Sequence, residues 1–155
     1  MIQAMISAGR APPRAVRSID NAEDKAVSLD WKSGPLAEGL ACYRSGQFFL
    51  AHEHWESVWL QLQEPEKTFL QALIQTAAAF HHLQAGNRAG TISLLRRALS
   101  RLEPRPTSFG GIAVTPLCTQ IHVWLRELES STHPAARAFP EISPIDPPTA
   151  SSSGC

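Results

Sequence analysis

The sequence predicts an all-α protein, a single compact bundle of about five helices joined in helix-turn-helix hairpins and flanked by flexible tails. Three observations predict this class: apolar residues recur at helical spacing through the middle of the chain, no stretch alternates convincingly as a strand does, and both ends lack a sustained period. The length of 155 residues suits one domain of ordinary size plus tails. We therefore expect a flexible leader at residues 1–34, a helical domain at 35–130 and a disordered, Pro/Ser-rich tail at 131–155.

The first two predicted helices meet at a glycine turn. Residues 36–45 follow Pro35, which is tolerated in a first helical turn because its missing N–H has no partner there, and they end before Gly46. Residues 47–62 form the second helix, which carries the run His-Glu-His-Trp-Glu-Ser-Val-Trp at positions 52–59. This run is the most informative stretch of the chain.

The third and fourth predicted helices meet at a second glycine turn. An acidic start at residues 64–66 opens a long third helix, which ends at Gly86. This helix is apolar nearly all round between residues 72 and 80, which marks it as central in the bundle. Asn87 is placed to cap a fourth helix over residues 88–102.

A fifth helix and an internal echo complete the helical pattern. The fifth helix begins at Thr115-Pro116, after a loop rich in proline and glycine. The echo consists of Tyr43-x-x-Gly46 and Leu83-x-x-Gly86, each of which joins two predicted helices. It is similar to the helical hairpin of tetratricopeptide-type repeats and favours antiparallel neighbours.

The composition excludes two classes of partner. Fourteen Lys and Arg balance fourteen Asp and Glu, so the chain has no overall positive field that would recruit nucleic acid or an anionic membrane. No apolar run approaches the roughly 20 residues that span a bilayer. The cysteines Cys42, Cys118 and Cys155 form an odd set without CxxC spacing, which indicates reduced thiols in a cytoplasmic protein.

An ionisable pair lies on the apolar face of the second helix. At about 100° per residue, His52, Glu56 and Trp59 fall within roughly 60° of one another. The flanking aromatic residues are expected to extend this buried face: Phe48, Phe49 and Trp55. Because His52 and Glu56 are four residues apart, their side chains are placed to hydrogen bond directly. Taking both groups out of water is costly unless they bond each other, a third group or a metal ion.

A second line of polar residues lies on the third helix, at Gln71, Gln75 and His82. If this line faces the second helix, Gln75 and His82 approach the buried pair. The small residues 77–79 permit close packing there, which suits either a structural network or a compact ligand pocket.

Familiar metal-binding patterns are mostly missing. The motif helix begins like a zincin helix, but Glu56 occupies the position of the second zinc-binding histidine. The absence of a Glu-x-x-His pair leaves a ferritin-like di-iron centre without ligands. The remaining candidate metal set is His52, Glu56 and His82, two histidines and a carboxylate suited to a divalent ion with open positions. Trp59 and Gln75 are the candidate cofactor-binding residues beside it.

Three functions stay open on this pattern. The first is binding of a metal ion or a small polar ligand by a cluster of His52, Glu56, Gln75 and His82. The second is a structural or protein-interaction module, in which the cluster only fixes helix packing while the outer faces bind a protein partner or a second copy. The third is a hydrolase-like enzyme, with Glu56 as general base oriented by His52 and an open cleft beside it.

The ordered blocks of this segment resemble the family catalogued as domain of unknown function 309. The blocks are Gly46-x-x-x-x-Ala51-His52-Glu53-x-Trp55-Glu56-x-x-Trp59, Leu73-Ile74-Gln75-x-Ala77-Ala78-Ala79, His82 and Gly86-Asn87. The family's hallmark is His-x-x-x-Glu-x-x-Trp or Tyr. The resemblance covers nearly the whole predicted domain and implies an all-helical fold, with a suggestion that the motif binds metal. It implies no reaction.

Overall fold

The computed structural model describes residues 29–130 and 137–145. Its elements, in chain order, are α1 (Gly34–Arg44), α2 (Phe48–Trp59), α3 (Glu66–Gln84), α4 (Arg88–Leu102), β1 (Ser108–Phe109), β2 (Ile112–Ala113) and α5 (Val114–Ser130). The predicted all-helical class is confirmed, and each predicted helix has its counterpart.

A small hairpin interrupts the helical pattern between α4 and α5, where the sequence predicted only a loop. Strands β1 and β2 pair antiparallel over two residues each. Gly110 and Gly111 connect them with φ angles of 60° and 83°. Two consecutive residues with positive φ form the tight turn that matches the twist of a hairpin, and glycine adopts this conformation at little cost.

The two predicted glycine turns share one pattern of backbone hydrogen bonds. After α1, the Gln47 amide donates to the Cys42 carbonyl at 2.8 Å, and after α3 the Asn87 amide donates to the His82 carbonyl at 2.8 Å. In both turns the intervening glycine has a φ of 82°. This is the Schellman arrangement, which ends a helix and turns the chain back. Each helix consequently packs against the next one along the chain.

Helix α3 is the central element of the bundle, as its apolar circumference predicts. It contacts both α2 and α4. Ten of its nineteen residues are buried. Phe80 illustrates this position, since its ring contacts Phe48 of α2 at 5.7 Å and Trp124 of α5 at 5.1 Å.

Two segments outside the helices complete the core. Leu29 and Trp31 are buried, and the Trp31 indole N–H donates to the Gly110 carbonyl at 2.8 Å. Residues 137–145 pack back over the bundle, where Ile142 is fully buried. Residues 1–28, 131–136 and 146–155 lie outside the described part, so the division into leader, domain and tail stays a prediction.

Within the described ranges, no helix combines the length and apolar character needed to cross a membrane.

Candidate functional site

The buried face of α2 is centred on its large aromatic residues. Trp55 is fully buried, Phe48 is 1% exposed and Trp59 is 6% exposed. Relative to Phe48, His52, Glu56 and Phe49 lie roughly 40°, 80° and 100° round the helix. The expectation that Phe49 belongs to the buried face is wrong, because its side chain is 47% exposed. His52 and Glu56 therefore lie near one edge of the buried face, between the core and the surface.

The predicted direct hydrogen bond between His52 and Glu56 is not formed. His52 Nε2 and Glu56 Oε2 are 4.0 Å apart, which is close enough for an ion pair and too far for a hydrogen bond. The two side chains are only 10% and 19% exposed. Buried polar atoms without a hydrogen-bond partner occur here at His52 Nδ1, Glu56 Oε2 and Trp59 Nε1. The compensating partner that the sequence led us to expect is missing from the described residues.

The imidazole of His52 is held by packing. The Phe49 ring stacks on it with a centroid distance of 5.8 Å and an interplanar angle of 22°. Phe49 in turn contacts the ring of His81 on α3 at 5.4 Å. The exposed Phe49 thus covers one side of His52 and links α2 to α3.

A partly enclosed cleft of about 700 Å³ adjoins His52 and lies among α2, α3 and α4. The residues that line it are His52, Trp59, Lys67, Gln71, Ile74, Gln75, Ala78, Leu94, Arg97 and Arg101. Each helix contributes one face: positions 52 and 59 of α2, positions 67, 71, 74, 75 and 78 of α3, and positions 94, 97 and 101 of α4. The volume falls within the range of small-molecule sites.

Two predicted cofactor-binding residues, Trp59 and Gln75, both line this cleft. Gln75 is 7% exposed, and its Oε1 accepts a hydrogen bond from Arg101 Nη1 at 3.3 Å. The Lys67 ammonium lies 4.3 Å from the centroid of the Trp59 ring, a cation–π contact. The wall of the cleft is therefore built by contacts between helices.

His82 is not brought to the pair. Its Nδ1 lies 3.0 Å from Asn87 Nδ2 at the end of α3, and it does not line the cleft. In the described part of the chain, no group of three or more His, Cys, Asp or Glu side chains is arranged to hold a metal ion. The structure thus unites His52 with Trp59 and Gln75, and leaves the predicted set of His52, Glu56 and His82 apart.

Two residues that border the cleft were not among those predicted for the site. Arg97 and Arg101 lie on the side of α4 that borders the cleft. The apolar spacing of α4 matches its buried stripe, which includes Leu95 and Leu99. The same spacing gives no sign of whether a charged position beside that stripe faces water or a neighbouring helix. The available signal was Leu94, an apolar residue three positions before Arg97 and seven before Arg101, which places all three on one side of the helix.

A second cleft, of about 420 Å³, lies between α4 and α5. Four of its five ionisable side chains are paired with one another. Arg96 forms an ion pair with Glu129, and His122 Nε2 lies 2.6 Å from Glu103 Oε2. Such exposed pairs are typical of a solvated surface, so this cleft is a weaker candidate.

Comparison with known proteins gives a family. Residues 36–94 match the model of the family described as Domain of unknown function (DUF309). An uncharacterized protein of Aquifex aeolicus (strain VF5) is 33% identical to the chain over 78 residues, which make up 50% of this chain and 23% of that protein. The chain therefore spans less than a quarter of the length of that relative. The predicted resemblance is confirmed as a match of residues 36–94 to the model of this family.

Proposed function

We propose that the chain binds a small polar organic ligand in the cleft among α2, α3 and α4, through His52, Trp59 and Gln75. One observation carries the proposal. His52 and Trp59 line the cleft, and each has a buried ring nitrogen without a hydrogen-bond partner. A buried polar atom that lacks a partner costs about 1–3 kcal/mol. Both nitrogens are covered by neighbouring atoms, so a ligand in the cleft completes their hydrogen bonds once the two rings turn toward it.

A purely structural role for the pair fits less well. Polar groups that fix the packing of helices are expected to bond one another, because a half-satisfied network is less favourable than an apolar core. His52 and Glu56 are 4.0 Å apart and each retains an unpartnered atom. This arrangement favours an external partner over an internal one.

An organic ligand is proposed in preference to a metal ion because of the donor set. His52 is the only residue of the predicted metal set that lines the cleft, and its neighbours there are amide, indole, ammonium and guanidinium groups. Protonated cationic side chains do not bind metal ions. Elemental analysis of the purified protein tests the metal alternative, which requires stoichiometric metal that is lost in His52→Ala.

The hydrolase-like alternative makes Glu56 a general base. A general base must lie within hydrogen-bond reach of the proton that it abstracts. Glu56 does not line the cleft, whereas His52, Trp59 and Gln75 do. Ligand binding by these residues is therefore the simpler function for this site.

A screen of small molecules in every charge class tests the proposal, with binding followed by the indole N–H resonance of Trp59. Ala78→Trp fills the cleft from α3, and Gln71→Trp fills it from a second, partly exposed position on the same face. We expect members of the screen to shift the Trp59 resonance in the wild type and to lose the effect in both filled variants. Ala41→Trp, at an exposed position of α1, is the matched control.

Two outcomes contradict the proposal: no member of the screen binds, or binding persists in both filled variants.

We also propose a cytoplasmic location. It is supported by the free thiols of Cys42 and Cys118.

A further inference from the structure

We infer that the cleft takes an organic oxyanion, a carboxylate or phosphate group carried on an apolar body. This inference rests on the proposed function, because it assigns a charge class to the ligand of the same cleft. It follows from the charges that line the cleft, their pairing, the donors at its wall and its apolar surface.

Positive charge is concentrated in the cleft. Lys67, Arg97 and Arg101 line it, and its lining includes no carboxylate. The chain as a whole has equal numbers of basic and acidic residues, so this excess is local. A concave surface lined by one sign of charge focuses the field and favours a ligand of opposite sign.

These three cations are not neutralised within the part of the chain that the structure describes. The ion pairs there involve Arg44, Arg96 and Arg137 among the arginines, and none includes a cation of the cleft. Arg96 provides the contrast, because it precedes Arg97 by one residue and forms an ion pair with Glu129 of α5. Like charges four residues apart on a helix, as at 97 and 101, repel each other unless an anion lies between them.

The donors at the wall suit an oxyanion. The guanidinium group offers a fork of N–H donors that matches both oxygens of a carboxylate or two oxygens of a phosphate. Gln75 fixes one such fork by accepting from Arg101. Trp59 Nε1 is solely a donor, and it has no acceptor in the described protein.

Glu56 does not oppose this assignment. Its carboxylate does not line the cleft, and its Oε2 lies 4.0 Å from His52 Nε2 on the same helix. The positive charge that lines the cleft comes from Lys67, Arg97 and Arg101.

The remaining wall is apolar. Ile74, Ala78 and Leu94 line the cleft beside the ring of Trp59. A bare inorganic anion would leave this surface in contact with water, whereas a hydrocarbon or aromatic body covers it. The cleft volume of about 700 Å³ accommodates both parts of such a ligand.

Four probes of similar size test the inference: phenyl phosphate, benzoate, benzyl alcohol and benzylamine, titrated calorimetrically into the full chain at low salt. We expect the two anions to bind at least about tenfold more tightly than the alcohol or the amine, the ratio expected from charge-assisted hydrogen bonds. Inorganic phosphate should bind more weakly than phenyl phosphate. The first two probes also distinguish a phosphate ligand from a carboxylate ligand.

Charge-matched variants locate the effect. Arg97→Gln and Arg101→Gln should each weaken binding of the anions about tenfold while leaving benzyl alcohol unchanged. Arg96→Gln removes the same charge from the same helix outside the cleft, and the anion preference should survive it. Tighter binding of benzyl alcohol or benzylamine, blocked by Ala78→Trp, would overturn the inference while sustaining the proposed function. An anion preference that persists without Arg97 and Arg101 would also overturn it.

Discussion

Replacing Glu56 with methionine should stabilise the protein, although it deletes half of the most conspicuous polar pair in the chain. Methionine has nearly the length of glutamate and a similar helix propensity, so the change mainly removes the carboxylate. Glu56 Oε2 is buried without a hydrogen-bond partner, and its companion nitrogen on His52 is 4.0 Å away. The substitution therefore removes a desolvated charge and breaks no hydrogen bond of that carboxylate atom.

The magnitude follows from the burial of the side chain. An unsatisfied buried polar group costs about 1–3 kcal/mol. Since 19% of the Glu56 side chain stays exposed, the lower end applies, and we expect a gain of about 1 kcal/mol in the free energy of unfolding. For a domain of this size, that gain raises the midpoint of thermal unfolding by about 4–8 °C.

Urea denaturation of wild type, Glu56→Met and Glu53→Met in parallel measures the effect. Glu53 is exposed on the same helix, so its replacement removes the same charge and should change stability by less than about 0.5 kcal/mol. If Glu56 instead formed a bonded, buried pair, its loss would destabilise the protein by about 3–5 kcal/mol. A loss of that size in Glu56→Met, with Glu53→Met neutral, would refute the reasoning and restore the structural interpretation of the pair.

Four further predictions concern the packing of the bundle and its titrating groups. Tyr43→Phe should lower the free energy of unfolding by about 1 kcal/mol, because the buried Tyr43 hydroxyl donates to the Pro140 carbonyl at 2.6 Å. Burial raises the pKa of Tyr43 above its ordinary value. The contribution of Tyr43 to stability is therefore complete below about pH 10 and declines as the pH rises further. Phenolate absorbance that develops below about pH 10, before the protein unfolds, would contradict the raised pKa. Gly39→Ala should destabilise the protein, because the new Cβ would lie 2.4 Å from Nε1 of Trp55. This clash costs about 1–3 kcal/mol, which exceeds the gain in helix propensity. Urea denaturation measures the effect, and an unchanged midpoint would argue against this contact. Burial raises the pKa of the Cys118 thiol, so iodoacetamide should alkylate Cys118 more slowly in the folded chain than in urea. Peptide mass spectrometry follows the two rates, and equal rates would be inconsistent with this burial.

Helical spacing predicted most of the fold because burial in a bundle is set mainly by position round each helix. The fourth helix was predicted with the bounds observed, since Asn87 caps its start through a side-chain bond to the Gly90 amide. The hairpin was missed although its signal was present. The pair Gly110-Gly111 is typical of a hairpin turn, but strands of two residues are too short to display alternation.

The surroundings of His52 were predicted in part. The angular position of His52 correctly placed it beside Trp59, and Gln75 of α3 was correctly expected nearby. The direction of His82 was not predictable, because the turn after α3 supplies Asn87 as a local partner. Side-chain partners supplied by turns depend on cap geometry, which a helical wheel does not contain. The cationic wall on α4 was missed for a related reason, since the wheel of one helix carries no information about the neighbour it meets.

The position of the cleft across α4 has a consequence for the relatives of this chain. The segment that matches the DUF309 family ends at residue 94, inside that helix. His52, Trp59, Lys67 and the rest of the α2 and α3 walls lie within the match, whereas both arginines lie beyond it. Proteins that match the same family model can therefore share these walls of the cleft and differ in the charge of its α4 wall. Under the proposed function, ligand preference would then be decided by the half of α4 that the family match does not cover.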